Sequence, residues 1–122
     1  MIDKWQGLHS FWSSFDLPAY DETDVPEDAT MPYITYDARV SGFEDTTALS
    51  ASIWYRSTSW ASISQKVDEI ARALTPYKLI PLEDNQYLFL IQGSPFAQRM
   101  PDEDSAIRRI YINVMGEYFT RY

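Results

Sequence analysis

The amino-acid sequence predicts an α+β domain, a single antiparallel or mixed β-sheet with helices packed on one face. Three observations carry that expectation. Two stretches repeat their apolar residues every three or four positions, the spacing of an amphipathic helix. Five others read as strands, and several of them are joined by turns too short for a crossover. The order is helix, strand, strand, helix, strand, strand, strand, which is not the strict alternation of a parallel α/β fold. At 122 residues the chain reads as one domain spanning 1–122, long enough to bury a core without disulfides or metals.

The first helix is predicted over residues 3–15, "DKWQGLHSFWSSF", where Trp5, Leu8, Phe11, Trp12 and Phe15 form one stripe weakened by Gly7 and the serines. Residues 16–31 are acidic, proline-rich and without a period, so they are expected to form an extended loop, touching the sheet edge around Ala19 and Tyr20. Residues 32–40 alternate Ile34, Tyr36, Ala38 and Val40 against Thr35, Asp37 and Arg39, a half-buried strand closed by Gly42. The next strand sets Leu49, Ala51, Ile53 and Tyr55 against Ser50, Ser52, Trp54 and Arg56, and the short polar link "SGFEDTT" makes the pair an antiparallel hairpin.

At "SASIWYRSTSWASISQKVDEIARAL" the period switches from two to three or four across Ser57, Thr58 and Ser59. The helix beyond carries Trp60, Ile63, Val67, Ile70 and Leu74 as its sheet-facing stripe. Ser57 or Ser59 is the expected N-cap, and Pro76 stops it. "YKLIPL" and "QYLFLIQGS" then form a hairpin about the turn "EDN". "PFAQRMPDEDS" reads as a polar loop, and the chain closes with a strand in which Ile110, Ile112 and Val114 oppose Arg109, Tyr111, Asn113 and Met115.

Charge and composition exclude several classes of function. The formal charge is −8, and residues 1–30 hold seven acids against Lys4 alone. Such a chain is poorly suited to gripping nucleic acid by phosphate neutralisation. The aromatic residues therefore suit a core and a protein interface better than a base-stacking platform. There is no cysteine, which removes thiol chemistry and cysteine-type zinc sites. No run reaches the roughly 20 apolar residues that span a bilayer. Residues 1–4 lack the basic, then apolar, start of a secretion signal, so a soluble protein made in the cytoplasm is expected.

Catalytic signals are sparse. His9 is the single histidine, set in an aromatic stripe with nothing beside it that reads as a nucleophile. There is no G-x-S-x-G elbow and no glycine-rich phosphate loop. The acids Asp21, Glu22 and Asp24, and Asp102, Glu103 and Asp104, lack the oxygen spacing and turn glycine of a calcium loop. No catalytic, cofactor or metal residues are assigned, and no enzyme activity is expected.

From its proline-led strand through the aliphatic-aromatic run Ile53, Trp54 and Tyr55 to the helix pattern Val67, Ile70 and Leu74, with the long alternating strand over residues 107–118, the chain resembles the tail terminator, or tail completion, proteins of long-tailed bacteriophages. The resemblance is one of pattern over nearly the whole chain, and residues 16–31 are more elaborate than the pattern demands. It implies a non-enzymatic virion protein of the tail or neck, assembled in the host cytoplasm. It implies a homo-oligomeric ring, commonly a hexamer, that caps the tail tube protein, ends tube polymerisation and meets a head–tail connector protein. DNA would pass through an acidic lumen without specific binding, and no membrane is involved. A ring subunit needs different surfaces on its two sides. Trp5, Phe11 and Trp12, and the outward Arg109 and Tyr111, are the candidate subunit contacts; either set could instead be ordinary core, which is the favoured reading for the N-terminal stripe. Two other readings stay open: another α+β connector or protein-binding adaptor, and a small hydrolase assembled from distant acids.

Overall fold

The computed structural model describes residues 2–39 and 46–120. Helix α1 (Lys4–Ser13) is started by a capping box, in which the Asp3 carboxylate accepts the Gln6 N–H at 2.9 Å and the Gln6 side chain accepts the Asp3 N–H. Helix α2 (Ala61–Ala73) follows the strand-to-helix switch at residues 57–60. The strands are β1 (Ala19–Asp21), β2 (Tyr33–Tyr36), β3 (Thr46–Ala48), β4 (Ala51–Arg56), β5 (Lys78–Pro81), β6 (Gln86–Met100) and β7 (Ile107–Thr120). Among the described residues they make one mixed sheet of order β1-β2-β4-β7-β6-β5, with β3 also on β7; only β1 and β2 run parallel.

The alternation of β7 decides the layers. Ile110, Ile112, Val114 and Tyr118 are buried, and Gly116 sits in the same row. Register sets Ile34 beside Ile53 and Ile53 beside Ile110, so one apolar row crosses three strands. Leu8, Phe11, Trp12 and Phe15 from the α1 side and Ile63, Ile70 and Leu74 from the α2 side join this core. The helices therefore cover one face, as predicted. Each fully buried aliphatic side chain contributes about 1.5–3 kcal/mol. Lys66 ties the helices together, its ammonium donating to the Phe15 carbonyl at 2.7 Å and pairing with Glu69 at 3.2 Å.

Several expected boundaries move, each for a physical reason. Within the expected loop 16–31, Ala19–Asp21 forms edge strand β1: Ala19 is buried, and the Ile34 N–H donates to the Pro18 carbonyl at 2.9 Å. The strand expected over 32–40 ends at Tyr36; Val40 and Gly42 lie outside the described residues. The link expected as a plain turn contributes Thr46 and Thr47 to β3. The β3 and β4 strands follow β7 in one register, bridged by the Leu49 N–H to the Val114 carbonyl at 2.7 Å. The "EDN" hairpin is present, with Asp84 and Asn85 both at positive φ, as a two-residue turn of this hand requires.

The largest correction concerns residues 95–105. Most of that expected loop is strand, because β6 continues to Met100 beside β7. An irregularity between Gln92 and Ala97 resets the register, and Gly93 closes against Asn113, whose Cγ would lie 2.6 Å from an added Cβ. At the strand-to-helix switch the N-cap position is Trp60 and not a serine, although Ser59 Oγ accepts the Ala61 N–H at 3.1 Å. Two guanidinium groups lie over the Trp60 ring, Arg99 at 4.6 Å and Arg108 at 5.1 Å. Arg108 also donates to the Thr58 carbonyl at 2.7 Å. The switch is a structural clamp between α2 and the β6–β7 hairpin.

Ile70→Ala, which hollows the core beneath α2, is expected to cost about 2–5 kcal/mol in denaturant unfolding. Glu69→Ala, which removes a partly exposed ion pair, is expected to cost no more than about 1 kcal/mol. The reverse order would place the wrong face of α2 on the sheet. Tyr118 gives a pH test. Burial pushes its hydroxyl from 10.0 up to about 12, and it donates to the Arg39 carbonyl at 3.1 Å. A raised folded pKa contributes stability that is complete below the unfolded value and lost as pH climbs from 10.0 toward about 12. Tyr118→Phe should lose less stability than the parent across that alkaline window in chemical denaturation.

Candidate assembly interface

The sheet face opposite the helices is lined by aromatic side chains. A row crosses four adjacent strands: Tyr20 on β1 meets Tyr33 on β2 edge-on at 5.8 Å between ring centroids, Tyr33 meets Trp54 on β4 at 6.4 Å, and the Arg109 guanidinium of β7 lies 4.7 Å over the Trp54 ring. The row is anchored from below. Trp54 Nε1 donates to Thr35 Oγ1 at 2.9 Å and Arg109 Nε donates to Ser52 Oγ at 3.0 Å, and both hydroxyl residues are buried. Such anchoring fixes large, half-exposed groups in place before any partner arrives, which limits the ordering cost of association. Tyr111 stands between Ser52 and Gln98 on the same face, half-buried.

Farther along, Tyr77 and Phe89 pack at 5.2 Å, and Leu79, Ile91 and Met115 surround them through the β5–β6–β7 register. Tyr77, Leu79 and Ile91 are 51%, 40% and 37% exposed. Exposed apolar groups gathered on one face mark an interaction surface more often than singly scattered ones.

The N-terminal stripe divides. Phe11 and Trp12 are buried in this chain's own core, packed edge-on at 4.9 Å, and leave nothing for a partner to touch. Trp5 is 55% exposed beside a shallow cavity of about 440 Å³ lined by Ile2, His9 and Tyr36. The helical spacing that placed all three on one stripe holds for both outcomes, so it carried no signal to separate them. Trp54, the centre of the open face, was legible as an outward residue of its strand but not as a site.

His9 is held from both sides. Its Nδ1 and the Tyr36 hydroxyl are hydrogen-bonded at 2.9 Å, and its Nε2 and Ser13 Oγ at 3.1 Å. Ser13 is the neighbour that sequence reading passed over, one helical turn on. Burial, and then the charge of Asp21, raise the Tyr36 hydroxyl above its ordinary pKa, which keeps it a neutral partner for the imidazole. Ser13 and His9 are both on the exposed side of α1, one helical turn apart. The His9–Tyr36 hydrogen bond joins α1 to β2. The acids build turns: Asp21 accepts from Thr23 N–H and Oγ1, Asp102 from the Asp104 N–H, and Asp104 from the Ala106 N–H while pairing with Arg56 at 3.6 Å. Among the described residues no group of three or more His, Asp or Glu side chains gathers as a metal site, and no helix is long and apolar enough to cross a membrane.

His9→Ala removes two modest contacts, so thermal unfolding should show a loss of about 0.5–1.5 kcal/mol per hydrogen bond and no other change. Ester or phosphate hydrolysis by the purified protein that vanished in His9→Ala or Ser13→Ala would make this contact a catalytic one.

No protein-family model matches the chain, and no curated protein sequence matches it. A solved structure does share its architecture: a chain of the "virion of native gene transfer agent (GTA) particle", 15% identical, with a TM-score of 0.55 over 91% of this chain and 83% of that one. At that identity the likeness shows a common fold, over most of both chains.

Proposed function

We propose that the protein is a structural subunit of a virion, and that within the virion it acts as a tail terminator. In this reading copies of the chain form a closed homo-oligomeric ring, a hexamer in the arrangement the family resemblance implies. The ring caps the tail tube, ends its polymerisation and joins tail to head at the neck, while DNA passes through without sequence-specific contact. The observation that carries the proposal is the fold shared, over 91% of this chain, with a chain of a virion particle. The strand-turn-helix resemblance narrows it to the terminator.

The open aromatic face supports a role in assembly. Arg109 and Tyr111 are proposed subunit contacts on that face and Trp5 one on α1, whereas Phe11 and Trp12 serve the core. A different neck connector would share the fold and the need for such a face, and the phenotype separates the two.

Purified protein is expected to give a discrete ring of several subunits by native mass spectrometry. Virions produced without it should carry tails of uncontrolled length that fail to join heads, seen by electron microscopy. Tails of normal length that still failed to join would point to a connector, and normal joined virions would reject a structural role.

A further inference from the structure

The open face and the sheet edge carry opposite charge; on the face, Arg56 has a long, exposed pairing with Asp104 at 3.6 Å and Arg109 has none among the described residues. Register places three charged strand side chains on the open face: Arg56 and Arg109 beside the aromatic row, and Glu117 at the far end of β7. None of the ion pairs among the described residues involves Arg109; its guanidinium is held by Trp54 and Ser52 and keeps its remaining N–H groups for an acceptor. At the sheet edge, residues 22–31 link β1 to β2, with Glu22, Asp24, Glu27 and Asp28 all exposed and none of them in an ion pair. Between Lys4 and Arg39 the chain has no lysine or arginine. The β1 edge stands three strand spacings from β7, about 14 Å, and within one copy these carboxylates do not meet Arg109.

We propose that the acidic segment of residues 22–31 docks on the open sheet face of a second copy, its carboxylates meeting Arg109 and Arg56 and its half-buried Val25 and Met31 packing on the row of Tyr20, Tyr33 and Trp54. The inference rests on the ring reading and supplies the side-to-side contact that the reading requires. Edge and face are different surfaces, so the contact is heterologous, the kind that closes rings. It gives the segment a task that a plain solvated loop lacks. It also gives Arg109, pre-set by Ser52 and Trp54, a partner whose charge adds to the aromatic contact. Removing water from opposite charges on anchored groups favours the correct pairing and penalises like-charge neighbours.

The experiment exchanges charge between the two surfaces. One variant is Arg109→Glu and the other is Glu27→Lys with Asp28→Lys, the second confined to an exposed turn that cannot disturb the core. Each alone should need at least about tenfold more protein than the parent to assemble, because like charges then face each other. An equimolar mixture should regain assembly by native mass spectrometry, with equal numbers of the two variants, since each face then meets a segment of opposite sign. If Arg109→Glu unfolds by circular dichroism, the segment variant decides alone through its own assembly threshold. Either folded variant assembling like the parent, or a mixture that stays apart, overturns the proposal while leaving the ring in place. A parent that never assembles overturns the ring reading and this contact with it.

Discussion

Backbone pairing along β7 is the constraint on which the rest of the structure depends. This strand is hydrogen-bonded on one side to β3 and β4 and on the other to β6, so its side-chain alternation is imposed on the whole sheet. A slip of one residue would turn Ile110, Ile112, Val114 and Tyr118 to the open face and bring Arg109, Tyr111 and Asn113 under the helices. Gly116 locks that choice. An added Cβ there would lie 2.5 Å from Leu49 Cδ1 and 3.1 Å from Leu90 Cδ2, so the position admits those two leucines only because it has no side chain. With one face committed to α1 and α2, the other carries the braced row of Tyr20, Tyr33, Trp54 and Arg109 and, farther along, the apolar group around Phe89.

The same constraint explains why charge sits where it does. On the covered side, Lys66 reaches the Phe15 carbonyl just beyond α1, and Arg99 and Arg108 lie over the Trp60 ring, so these cations hold elements together. On the open side Arg109 is braced but not neutralised. The acids gather on the β1 edge, where turns satisfy some carboxylates and water the rest. In a chain of formal charge −8, Arg109 lies next to the aromatic row and in none of the ion pairs among the described residues.

Much of this was readable in the sequence where one face is buried and the period is therefore strict. The α2 stripe of Ile63, Ile70 and Leu74 and the alternation of β7 stand in the structure as spaced in the chain. Legibility failed where structure is set by a neighbour. Residues 97–100 look like a loop, with Pro95 and Pro101 close by and Gln98 and Arg99 exposed, yet β7 templates them as strand beyond a register irregularity that resets the alternation. The three-residue β1 is too short to show a period, and parallel pairing with β2 makes it. Phe11 and Trp12 share their helical spacing with exposed Trp5, because spacing places residues on a stripe without saying how far up the core extends. The candidate face was half legible: outward parity marked Arg109 and Tyr111, but the row through Trp54 needed strand order, which no local pattern contains.

The central claim is that one sheet face is core and the other is an assembly surface. The four tryptophans sample both faces: Trp12 is fully buried, Trp60 lies beneath two arginines, Trp5 is exposed on α1 and Trp54 stands on the open face. Hydroxyl-radical labelling read by mass spectrometry, in dilute and in assembled protein, compares them in one measurement. Trp12 should stay unlabelled in both states, and Trp54 should be labelled in the dilute protein and protected on assembly. Equal labelling of Trp54 in the two states, in a preparation shown to have assembled, would contradict an interface on the open face of the sheet.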